Sequence, residues 1–275
     1  MSNEFADDPR FVLSRDIVLE AGRKALAYYA DRSSLQTEAK LSGQDIVSEA
    51  DRTVEELIRA RVGAAFPGDG ILGEEQGLAA GSSGFLWVVD PIDGTSCFVH
   101  GLDQWCISIG VMDGDETVLG LIHRPTTGDL FVARRNGGAF LNGEPMRVDA
   151  TAGIDTGLIG VGANFRVPAE RIAAFVRLLL EAGGMFVRNG SGALMLAEVA
   201  SGRLAGYYEA HMNAWDCVAG LLMIREAGGW TAPFPSTGAE LLAGGPVLGC
   251  ASGIGGELRA LVQRSLEIAE ATGNG

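Results

Sequence analysis

The chain has 275 residues, 47% apolar and 20% charged, with 21 Lys and Arg against 35 Asp and Glu for a formal charge of −14. This composition excludes disorder and provides a core large enough for one large domain or two of ordinary size. The acidic balance excludes the footprint of a general nucleic-acid or anionic-membrane binder, so neither is expected as a partner.

Pro9, behind Asp7 and Asp8, marks a helix start. Phe11, Ile17, Val18, Ala21, Ala25 and Tyr29 follow at helical spacing and predict a helix over 9–31. Ser48-Glu49-Ala50-Asp51 has the form of a capping box and opens a second helix to Phe66, which Pro67-Gly68 ends. The periodicity then changes. Residues 71–73 and 85–90 are short apolar runs bounded by glycine, as buried strands are. Residues 105–142 predict a meander with turns at Asp113-Gly114-Asp115 and Asn136-Gly137-Gly138. From 151 onward strands at 157–161, 185–188, 204–209 and 246–250 alternate with helices at 169–182, 192–201, 214–228 and 255–271. That alternation argues for an α/β second half.

The cysteines at 97, 106, 217 and 250 show no CxxC spacing and read as reduced thiols. No basic-then-apolar leader opens the chain and no apolar run is long enough for a membrane span, so a soluble cytoplasmic protein is expected. The G-x-S-x-G, H-E-x-x-H, Walker and cysteine-phosphatase patterns are all absent. With histidines only at 100, 123 and 211, a histidine-rich metal site is not expected, and the chemistry falls to oxygen ligands. His100 and His123 read as structural or pocket-edge residues and Cys217 as an inert core thiol.

An apolar strand, FLWVV, runs directly into Asp90-Pro91-Ile92-Asp93-Gly94-Thr95. Pro91 and Gly94 permit a sharp turn there. Such a turn either aims both carboxylates at one point and offers the Gly94 and Thr95 amides to an anion, or is an Asx-type turn leading into a helix cap. Glu74 closes another short apolar run, and Asp216 opens a helix, where an acid is ordinarily a cap or dipole partner. Asp51 has the same capping alternative. Asp113-Gly-Asp115-Glu-Thr117 fits the pattern of aspartyl-nucleophile phosphatases but reads as a hairpin turn between strands.

Taken together, 40-KLSGQDIVSEAD-51, 72-LGEE-75, 87-WVVDPIDGT-95, 98-FVHG-101, 186-FVRNGSGALMLAEVASGRLAGYYE-209 and 215-WDCVAG-220 resemble the inositol monophosphatase family of magnesium-dependent, lithium-sensitive phosphatases. The resemblance implies a layered αβαβα sandwich within the α/β class. It also implies an α+β half at 1–150 holding most metal ligands and an α/β half at 151–275 bringing the substrate loop and Asp216. By this resemblance Glu74, Asp90 and the Ile92 carbonyl hold one Mg²⁺, and Asp90, Asp93 and Asp216 a second. A third, looser ion lies near Glu74, and Mn²⁺ is a possible substitute. Hard oxygen donors suit these cations rather than Zn²⁺. Asp51, Thr95 and Glu74 are implied to orient or deprotonate a metal-activated water that attacks in line without a phosphoenzyme, and the Gly94 and Thr95 amides to hold phosphate oxygens. Lys40 is expected near a metal-bound carboxylate.

Substrate contacts are implied for Asp93, Asp216, Gly190, Ser191, Gly192 and Glu209. The chain departs from the family pattern in Gly192 for the usual alanine, in Ser96-Cys97-Phe98 for Thr-Asn-Phe, and in Asp103-Gln104-Trp105 for Pro-His-Phe. The implied function is hydrolysis of inositol 1-phosphate or a similar polyol phosphate by a homodimer. Histidinol phosphate or a 3′(2′),5′-bisphosphate is the alternative substrate, and a regulatory binding protein on the same fold is the alternative function.

Overall fold

The computed structural model describes residues 5–32, 35, 37–39 and 46–273. Asp8 accepts hydrogen bonds from the Arg10 and Phe11 amides and starts α1 (Pro9–Ala30). After the hairpin β1 (Thr37–Ala39) and β2 (Ile46–Ser48), the Ser48–Asp51 capping box opens α2 (Glu49–Ala65). Lys40 and residues 41–45 of the first family motif lie outside the described residues.

The next strands are β3 (Gly70–Gly73), β4 (Gly77–Ala79) and β5 (Phe85–Asp93), followed by a short helix, α3 (Thr95–Val99). The meander supplies β6 (Cys106–Asp113), β7 (Glu116–Arg124), β8 (Asp129–Arg134), β9 (Gly138–Leu141) and β10 (Glu144–Pro145). These eight strands pair in the order β10-β9-β8-β7-β6-β5-β3-β4, antiparallel except for β3 beside β5. Asp113-Gly114-Asp115 is the β6–β7 hairpin turn, so the aspartyl-nucleophile pattern there is a turn.

The second half alternates as its pattern predicts: β11 (Leu158–Val161), α4 (Ala169–Glu181), β12 (Met185–Val187), α5 (Gly192–Ala200), β13 (Gly206–Met212) and α6 (Ala214–Glu226). It ends with β14 (Trp230–Thr231), α7 (Gly238–Ala243), β15 (Gly245–Cys250) and α8 (Gly255–Gly273). The strand expected at 204–209 begins two residues later and continues to Met212. Before it, Leu204 N–H turns back to the Glu198 carbonyl. This five-stranded sheet runs β12-β11-β13-β15-β14, with β11 parallel to both neighbours.

Five layers result. Helices α1 and α2 cover one face of the large sheet, burying Ile17, Val18, Val54 and Ile58 against Trp87, Val89 and Ile109. On the other face α5 and α6 lie between the two sheets, and α4 with α8 closes the far side of the small sheet. One continuous core, from Val88 and Ile122 through Leu196 and Leu222 to Phe175 and Leu258, joins the last four layers. The chain is therefore an α/β layered sandwich. Among the described residues no helix is long and apolar enough to cross a membrane.

Candidate active site

Residues three apart on a regular strand point to opposite faces, so Asp90 and Asp93 would diverge from a straight β5. The strand is not regular there. Asp90 pairs with Ser108 and Asp93 with Cys106, so Pro91 and Ile92 face the single residue Ile107. This bulge, which Pro91 favours by lacking an N–H, turns both carboxylates toward one space. Asp90 Oδ1 also accepts from Ile92 N–H at 2.9 Å, so the Asx-type turn and the converging acids coexist in one loop. Gly94 follows at φ +93°, where a Cβ would stand 2.7 Å from the Gln104 carbonyl. Only glycine fits that position.

The second half meets this loop from across the cleft. Asp93 Oδ2 accepts from Ser191 Oγ and, at 2.7 Å, from Ala193 N–H, which ties the end of β5 to the start of α5. Asp216 accepts from Asn213 N–H at 3.0 Å, so it caps α6 while standing beside the other acids. One oxygen each of Asp90, Asp93 and Asp216 lies within 4.8 Å of the others. Glu74, Ile92, Gly94 and Thr95 line the same cavity, about 400 Å³ in volume, as do Gly190, Ser191, Gly192 and Glu209. Gly192 faces the Met212 methyl, which a Cβ would meet at 2.4 Å, so the methyl takes the space an alanine side chain would need.

Asp51 lies behind the cavity wall. Its Oδ2 accepts from Ser48 N–H at 2.9 Å and from Ser48 Oγ, while Oδ1 accepts from Thr95 Oγ1 at 3.1 Å. Thr95 Oγ1 is also 3.0 Å from the Ile92 carbonyl. The capping box and the contact to the site thus use different oxygens of one carboxylate.

Burial dominates the electrostatics. It pushes Asp51 up to about 6 and Asp93 to about 6, in the latter case against the donors Ser191 and Ala193. It pushes Asp90 and Asp216 well above the carboxylate range, and neighbouring Glu74 and Asp93 push both the same way. Such a cluster of oxygen donors, largely buried and mutually repelling, fits a hard divalent cation, which would restore the charged forms. The cysteines are buried and free, and Cys217 is a core thiol pushed well up by burial. His100 and His123 hold backbone carbonyls and do not line the cavity.

Other residues at the site carry no sequence signal of their own. Glu55 is fully buried on α2 and accepts from Glu75 N–H, Gln76 N–H and Arg59, fixing the turn that carries Glu74. Asn164 and Tyr207 hold Glu209, and Arg166, Arg188 and His211 line the outer cavity. Their helices and strands are legible, but their convergence depends on the β11–β13 register.

The model of the inositol monophosphatase family matches residues 8–269. An inositol-1-monophosphatase of Rhizobium meliloti is 38% identical over 90% of this chain and 94% of its own length. A Nus factor SuhB of Haemophilus influenzae is 35% identical, covering 83% and 88% respectively. The crystal structure of the extragenic suppressor protein suhB from Bartonella henselae superposes with a TM-score of 0.85 at 30% identity, covering 92% of this chain and 97% of that one. With the match running through both sheets and both sides of the cleft, the chain belongs to the inositol monophosphatase family.

Proposed function

We propose that the protein is a Mg²⁺-dependent phosphomonoesterase acting on inositol 1-phosphate or a similar polyol phosphate. The observation that carries this reading is the convergence of Asp90, Asp93 and Asp216 on one point of a cavity that also holds the acceptor Glu209. In this reading Glu74, Asp90 and the Ile92 carbonyl hold one Mg²⁺, and Asp90, Asp93 and Asp216 a second. A third, looser ion lies near Glu74, and Mn²⁺ can substitute. Bound there, the cations supply the positive charge that offsets the phosphate and the developing leaving-group alkoxide, and they acidify water.

The chain's own groups do the rest. Thr95 Oγ1, donating to Asp51 Oδ1, keeps its lone pairs to orient the attacking water, whose single proton passes either through Thr95 to Asp51 or to Glu74. Gly94 and Thr95 amides hold phosphate oxygens, and Gly190, Ser191, Gly192 and Glu209 face the leaving alcohol. The metal acids come mainly from a half spanning 1–150 and the substrate contacts from a half spanning 151–275. We also read the protein as a cytoplasmic homodimer inhibited by lithium.

The test is phosphate release with Mg²⁺ from inositol 1-phosphate, glycerol 2-phosphate, histidinol phosphate, fructose 1,6-bisphosphate and adenosine 3′,5′-bisphosphate. Chelator and Asp93→Asn serve as controls. A preference for the polyol esters abolished by both controls supports the reading, whereas a preference for histidinol phosphate or the nucleotide reassigns the substrate. The similarity to a Nus factor SuhB favours one second reading, a regulatory binding role on the same fold. No turnover on any ester, together with partner binding that survives Asp93→Asn, would select it.

A further inference from the structure

Glu209 is buried, and two donors, one in the loop after β11 and one on β13 itself, hold its two oxygens. Asn164 Nδ2 donates to Oε1 at 2.8 Å, and the Tyr207 hydroxyl donates to Oε2. Both N–H groups and the oxygen of the Asn164 amide are engaged. Its second N–H goes to the His211 carbonyl at 2.7 Å, and its Oδ1 accepts from Arg166 N–H at 2.9 Å. Exchanging its oxygen and nitrogen would set oxygen against two oxygens and NH₂ against an N–H, so the surroundings fix the orientation.

Gly162 completes the arrangement. A Cβ there would stand 2.1 Å from Glu209 Oε2 and 2.5 Å from the Tyr207 hydroxyl. Glu209 sits at a second bulge, since β13 pairs Glu209 with Val247 and Met212 with Gly245, which leaves Ala210 and His211 opposite Pro246. Each oxygen of Glu209 therefore has one fixed protein donor and keeps acceptor capacity for the cavity.

We propose that Asn164 and Tyr207 are positioning residues that aim Glu209 at a hydroxyl of the leaving alcohol. They thereby set the preference for polyol phosphates over phosphate esters whose leaving group has no hydroxyl. The inference rests on the reading of Glu209 as a substrate contact in the function proposed above. A carboxylate free to turn accepts from a donor over a wide arc and discriminates little. A clamped one accepts only from a donor in the right place, and a leaving group without that donor forgoes the hydrogen bond to its remaining lone pairs. Both clamping residues lie on the leaving-group side and neither hydrogen-bonds the carboxylates at the end of β5, so their effect falls on substrate preference.

The experiment compares kcat and KM of the Mg²⁺-loaded full chain for inositol 1-phosphate and 4-nitrophenyl phosphate. The variants are Asn164→Ala, Tyr207→Phe, Glu209→Ala and the Asn164→Ala/Glu209→Ala pair. Asn164→Ala and Tyr207→Phe are each expected to lower the polyol-to-aryl ratio of kcat/KM, by up to about 100-fold where the carboxylate is displaced. Once Glu209 is removed, Asn164→Ala should change that ratio no further. Equal losses on both esters, an unmoved ratio, or full additivity with Glu209→Ala would each overturn the inference. Should Asn164→Ala fail to fold, Tyr207→Phe, which deletes a single oxygen, carries the same prediction. An unsubstituted protein inactive on both esters would overturn the proposed function and this inference with it, whereas an active one with an unmoved ratio overturns the inference alone.

Discussion

In Asp51, Oδ2 closes the capping box of α2 with Ser48, and Oδ1 receives the Thr95 hydroxyl. Substitution can separate the two contacts. In Asp51→Asn the amide oxygen can still accept from Ser48 N–H, so the cap is largely kept and its weakening costs no more than about 1 kcal/mol. The amide NH₂ then faces Thr95 Oγ1 and donates where the carboxylate accepted, so the proton route from water through Thr95 is lost. Turnover with Mg²⁺ is expected to fall by about 10²-fold or more, and Thr95→Ala should act similarly. Mg²⁺ affinity, measured by titration calorimetry, should change far less. Turnover of both variants near the unsubstituted value would remove Asp51 and Thr95 from the chemistry.

At the scale of elements, the turn after β3 depends on α2. Glu55 is fully buried, and its carboxylate receives the Glu75 and Gln76 amides and the Arg59 guanidinium. Gly73 beside it leaves no room, since a Cβ would stand 2.3 Å from Glu55 Oε1. Glu55→Ala removes one partner of a buried pair and orphans two amides, so denaturant unfolding should show a loss of about 3–5 kcal/mol. Turnover should fall as well, because Glu74 rides on that turn. A variant as stable as the parent would show that the bracket holds nothing. The turn illustrates what the sequence could and could not disclose. The local pattern singled out Asp90, Asp93, Glu74 and Asp216, because each ends an apolar strand or opens a helix. It left turn and capping alternatives open, and only the resemblance to the family implied their metal roles. Glu55, Asn164 and Tyr207 were not singled out, because a glutamate on a helix or an asparagine after a strand acquires its role only through residues brought from elsewhere. The five-residue α3 is too short to show a helical period, and the bulges in β5 and β13 arise from cross-strand pairing that no local pattern contains.

Over the whole molecule, a chain of charge −14 gathers carboxylates, buried or half-buried, where the end of β5 meets the start of α6. Their raised pKa values make folding and metal binding respond oppositely to pH. Asp51 and Asp93 stand near 6 in the folded protein against an ordinary 3.8, and Asp90 and Asp216 are shifted in the same direction. A folded-state carboxyl pKa above the unfolded one means that the native chain binds more protons through this range. The stabilisation from these groups is therefore fully present below about pH 4 and is lost as pH rises through about 6, at up to roughly 3 kcal/mol for a group shifted that far. Without divalent metal, the melting temperature should accordingly rise as pH is lowered from 7.5 to 5.5. Asp93→Asn should be more stable than the parent in chelator at pH 7.5, by roughly 1–3 kcal/mol. Saturating Mg²⁺ should reverse the slope, because protons then compete with the ion for the same oxygens, and it should stabilise the parent more than Asp93→Asn. Calorimetric melts of both proteins, with Mg²⁺ and with chelator at the two pH values, test the argument. A chelated parent that loses stability on acidification over this window, with Asp93→Asn no more stable at pH 7.5, would mean that the acids are relieved by something other than protons or a cation.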